Sequence, residues 1–309
     1  MTTSTSKSIL KTLAMTIATA FIFSFASCGD DDNDSSKSKQ GQINRGNITA
    51  NTYIKSAGNF DFAYNDNMTI STIIDNEENE RFEFSYNPLK IVATLDNEND
   101  YTYTVISNIS LNSKGFITAY NYQETYRNNE RLSKGKVKLS YDSNDHLVSI
   151  SESCDVKDTY DDNVENYSLA SNTKLTWNNS RLTTVSFSEK ETSTDSGNPL
   201  ETYGTQTATF YYNNATPNKV EQWTPILEGE YIFGTLPALF YAGYYGKAGN
   251  YHPTGIEVKD EDGENNYSLN YSTGLNGDGT VAYFTANGKR KAFTYTTKAA
   301  ASKLSKLSR

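Results

Sequence analysis

The chain has 309 residues, 37 acids against 28 bases for a formal charge of -9, 23 Tyr and 14 Phe, but only two Cys and two His. Two Cys and two His leave no room for a zinc finger or a Cys/His cluster of ordinary spacing, and no other pattern asks for a metal or a cofactor. The acidic balance speaks against nucleic acid as a partner, because a phosphate backbone needs a basic patch.

Lys7 and Lys11 precede an apolar run from Leu13 to Phe25. That run is about 13 residues, short of the ~20 that a membrane-spanning helix needs and right for the core of a signal peptide. Residues 1–27 are therefore read as a signal peptide. The run ends in Phe25-Ala26-Ser27-Cys28. Small residues directly before a Cys resemble the lipobox of bacterial lipoproteins, with Phe25 where Leu is usual. The resemblance implies cleavage before Cys28 and lipidation of that residue, palmitate included; the competing reading is a plain secretory signal followed by an incidental Cys. Next come Gly29-Asp30-Asp31-Asp32-Asn33-Asp34 and a Ser/Lys stretch. An acidic run at this place resembles the export signal of surface-exposed lipoproteins in Bacteroides-type bacteria. Its composition also suits a solvated leash, since like charges self-repel. Residues 28–45 are expected to be a lipidated Cys and flexible acidic tether. It would hold the protein to the outer membrane, facing the cell exterior, with the periplasm as the alternative. Loss of Lys7 and Lys11 makes the mature chain more acidic still.

Residues 46–297 are expected to form a single β domain. Apolar and polar residues alternate, and one module recurs: a strand ending in an aromatic, then Asn or Asp, a short turn, and a new strand opening on an apolar residue. It appears as Phe60-x-Phe62-x-Tyr64-Asn65 with Met68-x-Ile70, and as Phe82-x-Phe84-x-Tyr86-Asn87 with Leu89-x-Ile91. It returns as Val137-x-Leu139-x-Tyr141-Asp142 with Leu147, and as Leu175-x-Trp177-Asn178 with Leu182. Phe210-x-Tyr212-Asn213 with Val220 follows, and Leu269-x-Tyr271 with Val281 is a looser copy. Period-2 apolar residues place one face toward a core, and Asn or Asp end the strand by tolerating left-handed angles and bonding their own main chain. Each module is one antiparallel hairpin. The intervals are unequal, so the fold is an all-β meander of hairpins, a curved sheet or barrel-like body, and not a solenoid. Cys154 shares a face with Ile150 and is read as an inert buried thiol. Neither His has a sequence neighbour that suggests activation.

Residues 155–166, 189–199 and 273–280 read as loops from their acidic, Ser/Thr or Gly content, and none carries a full calcium-loop pattern. Between Tyr231 and Lys247 the alternation breaks. Thr235 as an N-cap, Pro237 in the first turn and Gly246 as a stop predict a short helix near 236–245. Tyr231, Tyr241, Tyr244, Tyr245 and Tyr251 are the candidate ligand-contact aromatics; the competing reading is that they fill the core. Residues 298–309 are expected to be a basic tail.

These hairpins, the segment 239–256 and the lipobox are together similar to a family of Bacteroides-type outer-membrane lipoproteins of unknown function with a porin-like β fold. The resemblance covers most of 45–297, rests on structural motifs and carries over no catalytic residues. Polar strand faces, the lack of a terminal aromatic strand and the lipid anchor favour a barrel that does not span the membrane. The expected function is a non-catalytic binding or adhesion module for glycan or protein. The alternatives are a glycosidase working with two carboxylates and an accessory subunit of an envelope complex.

Overall fold

The computed structural model describes Asn47–Thr297, apart from 50–51, 98–99, 128–129, 161–162, 195–198, 225–235, 262 and 264–265. The leader, Cys28, the tether, Tyr231, Thr235 and the basic tail lie outside the described residues. The strands are β1 (Asn47–Thr49), β2 (Thr52–Ala57), β3 (Phe60–Tyr64), β4 (Ile70–Asp75), β5 (Glu80–Ser85), β6 (Lys90–Asn97), β7 (Asp100–Leu111), β8 (Ile117–Tyr126) and β9 (Arg131–Tyr141). They continue as β10 (Leu147–Tyr160), β11 (Asn163–Asn178), β12 (Arg181–Ser193), β13 (Pro199–Tyr211), β14 (Gly255–Lys259), β15 (Tyr267–Leu275), β16 (Val281–Ala286) and β17 (Lys289–Thr297), with one helix, α1 (Pro237–Tyr241).

Each strand from β2 to β17 pairs antiparallel with the next. β17 then returns to β2, with registers from Phe293–Ala57 to Thr297–Thr52. The wall is a closed 16-strand antiparallel barrel, and β1 is a short addition to β2. Closure removes the edges that an open curved sheet would leave.

Alternation sets the two faces of the wall. In β3, Phe60, Phe62 and Tyr64 are buried while Asp61 and Ala63 are exposed. In β9, Val137 and Leu139 are buried while Lys134, Lys136 and Lys138 are exposed. β11 buries Thr173 and Leu175 and exposes Asn172, Lys174 and Thr176. A bilayer-spanning barrel presents an apolar band to the outside. This wall has the opposite polarity, apolar within and charged without.

In an antiparallel meander alternate turns lie at opposite ends, so the turns that follow the odd-numbered strands share one mouth. There a single device repeats. Tyr64 donates its hydroxyl to Ile54 O at 2.6 Å, Tyr86 to Ile70 O at 2.9 Å, Tyr141 to Ile117 O at 2.6 Å, and Tyr212 to Leu182 O at 2.9 Å. The Trp177 indole donates to Leu147 O at 2.8 Å and Tyr295 to Val281 O at 2.7 Å. Each aromatic thus ties the end of one strand to the start of the strand before it. Tyr271 lies within β15 rather than at its end, and its ring packs on Phe284.

The turns beneath this ring share a form as well. Asn65 with Thr69, Asn112 with Phe116, Asp142 with His146 and Asn276 with Thr280 each close a loop in which the first residue's N–H bonds the fifth residue's carbonyl. The fourth residue is left-handed in every case: Met68, Gly115, Asp145 and Gly279. The Asn or Asp that opens the turn is not itself the left-handed residue. Its side chain helps hold the loop shut, as where Asp142 Oδ1 accepts from the N–H of Asn144 and of His146.

Three expectations need correction. Val220 does not open a strand: the chain between β13 and β14 leaves the wall. The acidic stretch 155–166 and the stretch 189–199 are mainly strand, continuing β10 to Tyr160 and β12 to Ser193. Asp155 and Lys157 point outward there while Val156 and Asp158 are buried, so the period survives but acids occupy inward places. The helix is shorter than predicted, with Leu236 at its N-cap and no side-chain cap bond. Gly243, left-handed at φ 78, ends it: its N–H bonds Phe240 O and the Tyr244 N–H bonds Leu239 O.

The segment after β13 plugs this mouth. Ala238, Leu239, Phe240, Tyr241 and Ala242 are all buried. Tyr241 packs on Phe60 and Phe293, Tyr244 stacks on Phe84, and the Ile117 N–H bonds Tyr244 O. The plug therefore touches the wall at β3, β5, β8 and β17. At Gly246 a Cβ would stand 2.5 Å from Asp145 O, so only glycine lets the plug lie this close to the β9–β10 turn.

Replacing Tyr141 by Phe keeps the ring, and its stacking on Phe116, but deletes the donor to Ile117 O. Urea unfolding of Tyr141→Phe is expected to show a loss of about 1 kcal/mol; an unchanged midpoint would deny the aromatic ring a stabilising role.

Candidate ligand cleft at the plugged mouth

The β11–β12 turn begins the site. Asn179 and Ser180 are both left-handed, at φ 49 and 54, the two-residue geometry in which Asn is favoured at the first place. The turn sets Asn178 opposite Arg181. Tyr212, just past β13, is held beside β12 by its bond to Leu182 O. The third wall comes from the plug. The Asn250 N–H bonds Ser180 O at 2.9 Å, and Asn218 Nδ2 reaches both Gln222 O and Gly249 O. Gly249 permits the approach, since a Cβ there would meet Ser180 O at 2.5 Å. Tyr251 bridges to Pro217 and is brought over the turn.

The Arg181 guanidinium carbon lies 4.3 Å from the centre of the Tyr251 ring and 5.5 Å from that of Tyr212. Rings at these distances hold a guanidinium by cation–π attraction and stacking. Asn178, Asn179, Arg181, Thr183, Tyr212 and Tyr251 enclose about 370 Å³ open to solvent. No carboxylate is among these lining residues. Below lies an aromatic floor. Trp177 stacks on His146 at 4.2 Å and meets Trp223 edge-on, and Trp223 packs on Phe240.

Both histidines serve this floor. His146 does have a close sequence partner, contrary to expectation: its Nδ1 is 3.0 Å from Asp142 Oδ2, across the five-residue turn. His252 is buried, which lowers its pKa to about 4, so it stays neutral and leaves the charge of the site to Arg181.

Of the aromatics singled out in the sequence, Tyr251 lines the cleft and remains half-buried. Tyr241, Tyr244 and Tyr245 are 3%, 1% and 0% exposed. They pack in the plug, closed off from any external ligand, because the helix and its stop turn them into the barrel. Arg181 and Tyr212 escaped notice as site residues: Arg181 reads as an ordinary turn flank, and Tyr251 lies far along the chain.

A second polar group sits inside the wall. Glu80, Glu124, Glu152 and Glu189 are buried on inward places of β5, β8, β10 and β12. Burial pushes Glu80 up to about 8, aided by the charges of Asp75 and Glu124. Burial raises Glu124 to about 7 against the bond from Thr104 and the charge of Arg131. Burial also raises Glu152, despite a bond from Ser171 and with help from Glu189 and Glu124. Asp158 is held otherwise: Arg131 donates to it twice, at 2.8 and 2.9 Å, and Tyr167 donates at 2.8 Å. Cys154 faces inward beside these groups, its thiol pushed up to about 12 chiefly by burial, which makes it a poor nucleophile. Among the described residues no set of three His, Cys, Asp or Glu could hold a metal ion, and no helix is long and apolar enough to cross a membrane.

No protein-family profile matches the sequence, and no curated protein matches it. Solved structures similar in fold include two porin-like proteins. A porin-like protein from Bacteroides uniformis ATCC 8492 is 16% identical at a TM-score of 0.43, covering 81% of this chain and 92% of its own. A porin-like protein from Bacteroides vulgatus ATCC 8482 is 10% identical at a TM-score of 0.47, covering 80% and 97%. Closure of the barrel is established by this chain's own strand pairings.

The raised carboxyls predict a pH dependence. Glu80, Glu124 and Glu152 keep their protons in the folded barrel at pH values where the unfolded chain releases them. Their contribution is fully present below the unfolded value near 4.5 and is lost as pH rises through about 7 and 8. His252 works the other way over the range from 6.5 down to about 4, but it is one group against three. Denaturant unfolding is expected to give lower stability at pH 8.5 than at pH 5.5. Glu124→Gln should narrow that gap; an equal gap in the variant would contradict a protonated Glu124.

Proposed function

We propose that the protein is a surface-tethered lipoprotein that binds a glycan without transforming it. The observation that carries this reading is the cleft at the plugged mouth, where two tyrosine rings, two asparagines and a guanidinium converge on one solvent-open space. Aromatic faces pack against the apolar faces of sugars, and amides and guanidinium donate to their oxygens. Hydrolysis by a carboxylate pair needs both groups facing the substrate. Among the described residues the cleft lining has none, while Glu80, Glu124, Glu152 and Glu189 are buried within the wall. The outward charges of the wall suit a body held beside a membrane by an anchor rather than within it, in keeping with a lipid on Cys28. The acidic tether supports the cell exterior as the side on which the cleft works.

Two measurements bear on this. An alkyne-tagged palmitate fed to the producing bacterium is expected to label the wild-type protein and not Cys28→Ser; label retained in the variant would remove the anchor. On a glycan array, the protein is expected to bind a defined subset, and Tyr251→Ala should weaken that binding about tenfold. Failure to bind any glycan, alongside co-purification with an outer-membrane complex, would favour an accessory subunit instead.

A further inference from the structure

Among the described residues, Arg181 is the one charged group in the lining of the cleft. Its guanidinium carbon stands over the rings of Tyr212 and Tyr251. Cation–π attraction holds the charge in place, and a guanidinium offers five N–H donors in a planar fork. The residues beside it are neutral: Asn178, Asn179, Thr183 and the two tyrosines. Thr183 spends its hydroxyl proton on Thr176 O. In the plug, Lys247 pairs with Glu221 at 2.9 Å. The cleft therefore holds a positive group, packed against two aromatic rings, with no acid among the described lining residues to neutralise it. On a chain whose formal charge is -9, this is an unusual place to keep a bare cation.

We infer that Arg181 recognises the carboxylate of an acidic sugar, a uronic acid or a residue like it, through paired N–H···O bonds while Tyr212 and Tyr251 pack against the ring that carries it. A planar carboxylate matches the guanidinium fork, whereas a neutral hydroxyl can use only one arm. Tyr251 stands at 4.3 Å from the guanidinium, so a sugar whose carboxylate meets the edge of Arg181 lies alongside that ring and the amides of Asn178 and Asn179. The volume of about 370 Å³ suits one or two sugar residues rather than a long chain. This inference rests on the reading of the cleft as a glycan site and adds the chemical class of the glycan.

Calorimetric titration of the full-length protein in detergent tests it with matched probes: a glucuronic-acid-terminated oligosaccharide, its glucose-terminated counterpart, and acetate alone. The acidic sugar is expected to bind at least about tenfold tighter than the neutral one, and acetate only weakly. Raised salt should weaken the acidic sugar alone. Arg181→Gln should erase the preference, and Arg181→Lys, which keeps charge but not the fork, should retain part of it. Thermal unfolding of both variants separates lost recognition from lost folding, and the comparison of probes on wild type needs no variant. Equal binding of both sugars would overturn the carboxylate inference and leave glycan binding standing. Acetate as tight as the acidic sugar would make the site an anion site and overturn the sugar. Binding of no probe, with no binding on the glycan array, would overturn both.

Discussion

The width of the barrel governs the rest of the molecule. An eight-stranded barrel is just wide enough for its own side chains to fill, while one of 16–18 strands leaves an open lumen. This wall closes with 16 strands and turns its apolar side chains inward. Such a lumen cannot be left to water, because the inward rows of Phe, Ile, Val and Leu would lose their burial. Something else must occupy it. At one mouth that filler is the plug around α1, whose residues from Ala238 to Ala242 are buried against strands on several sides. In the other half, inward tyrosines and carboxyl groups take the space.

The ring of aromatic donors follows from the same demand. A plug can seat only on a mouth of fixed outline, and each of the hydroxyl or indole bonds to a carbonyl near the start of a neighbouring strand fixes one segment of that outline. Two members of the ring also shape the candidate cleft: Tyr212 supplies one wall, and Trp177 leads into the turn that presents Arg181. Fold and site are thus made of one set of parts. The interior carboxyls show the opposite compromise. Glu80 and Glu124 are kept near neutral by burial, which lets acids stand where apolar residues would pack better.

The hairpins were legible because their inward residues are apolar and their turns open on Asn or Asp, as at Tyr64-Asn65 and Tyr141-Asp142. Where inward places carry Glu152, Asp158 or Glu189, the hydrophobic period vanishes although the strand goes on, and β10 and β12 look like loops. The donor ring was half legible. Its aromatics stand out, but their acceptors lie on the preceding strand, and Tyr295 sits in a run of Thr with no turn signal behind it. The short helix was readable from Pro237 but not its length, because Gly243 and Gly246 are equally good stops on paper and only packing selects the first. The cleft was least legible. It joins a turn at 178–181 to a residue at 251, and no local pattern links the two.

The seam between β17 and β2 has a consequence for how the molecule comes to exist. Ser56 and Thr294, 238 positions apart, meet there through their hydroxyls at 2.7 Å. Every other strand finds its partner next door in the chain, so the wall can assemble in order as the polypeptide emerges, but the seam cannot form until its last strand has arrived. Until then the growing sheet has two raw borders, each able to pair with a neighbour's. The outward charges, such as Arg81 and Glu83 on β5 and Lys134, Lys136 and Lys138 on β9, are of the kind that makes such pairing less favourable.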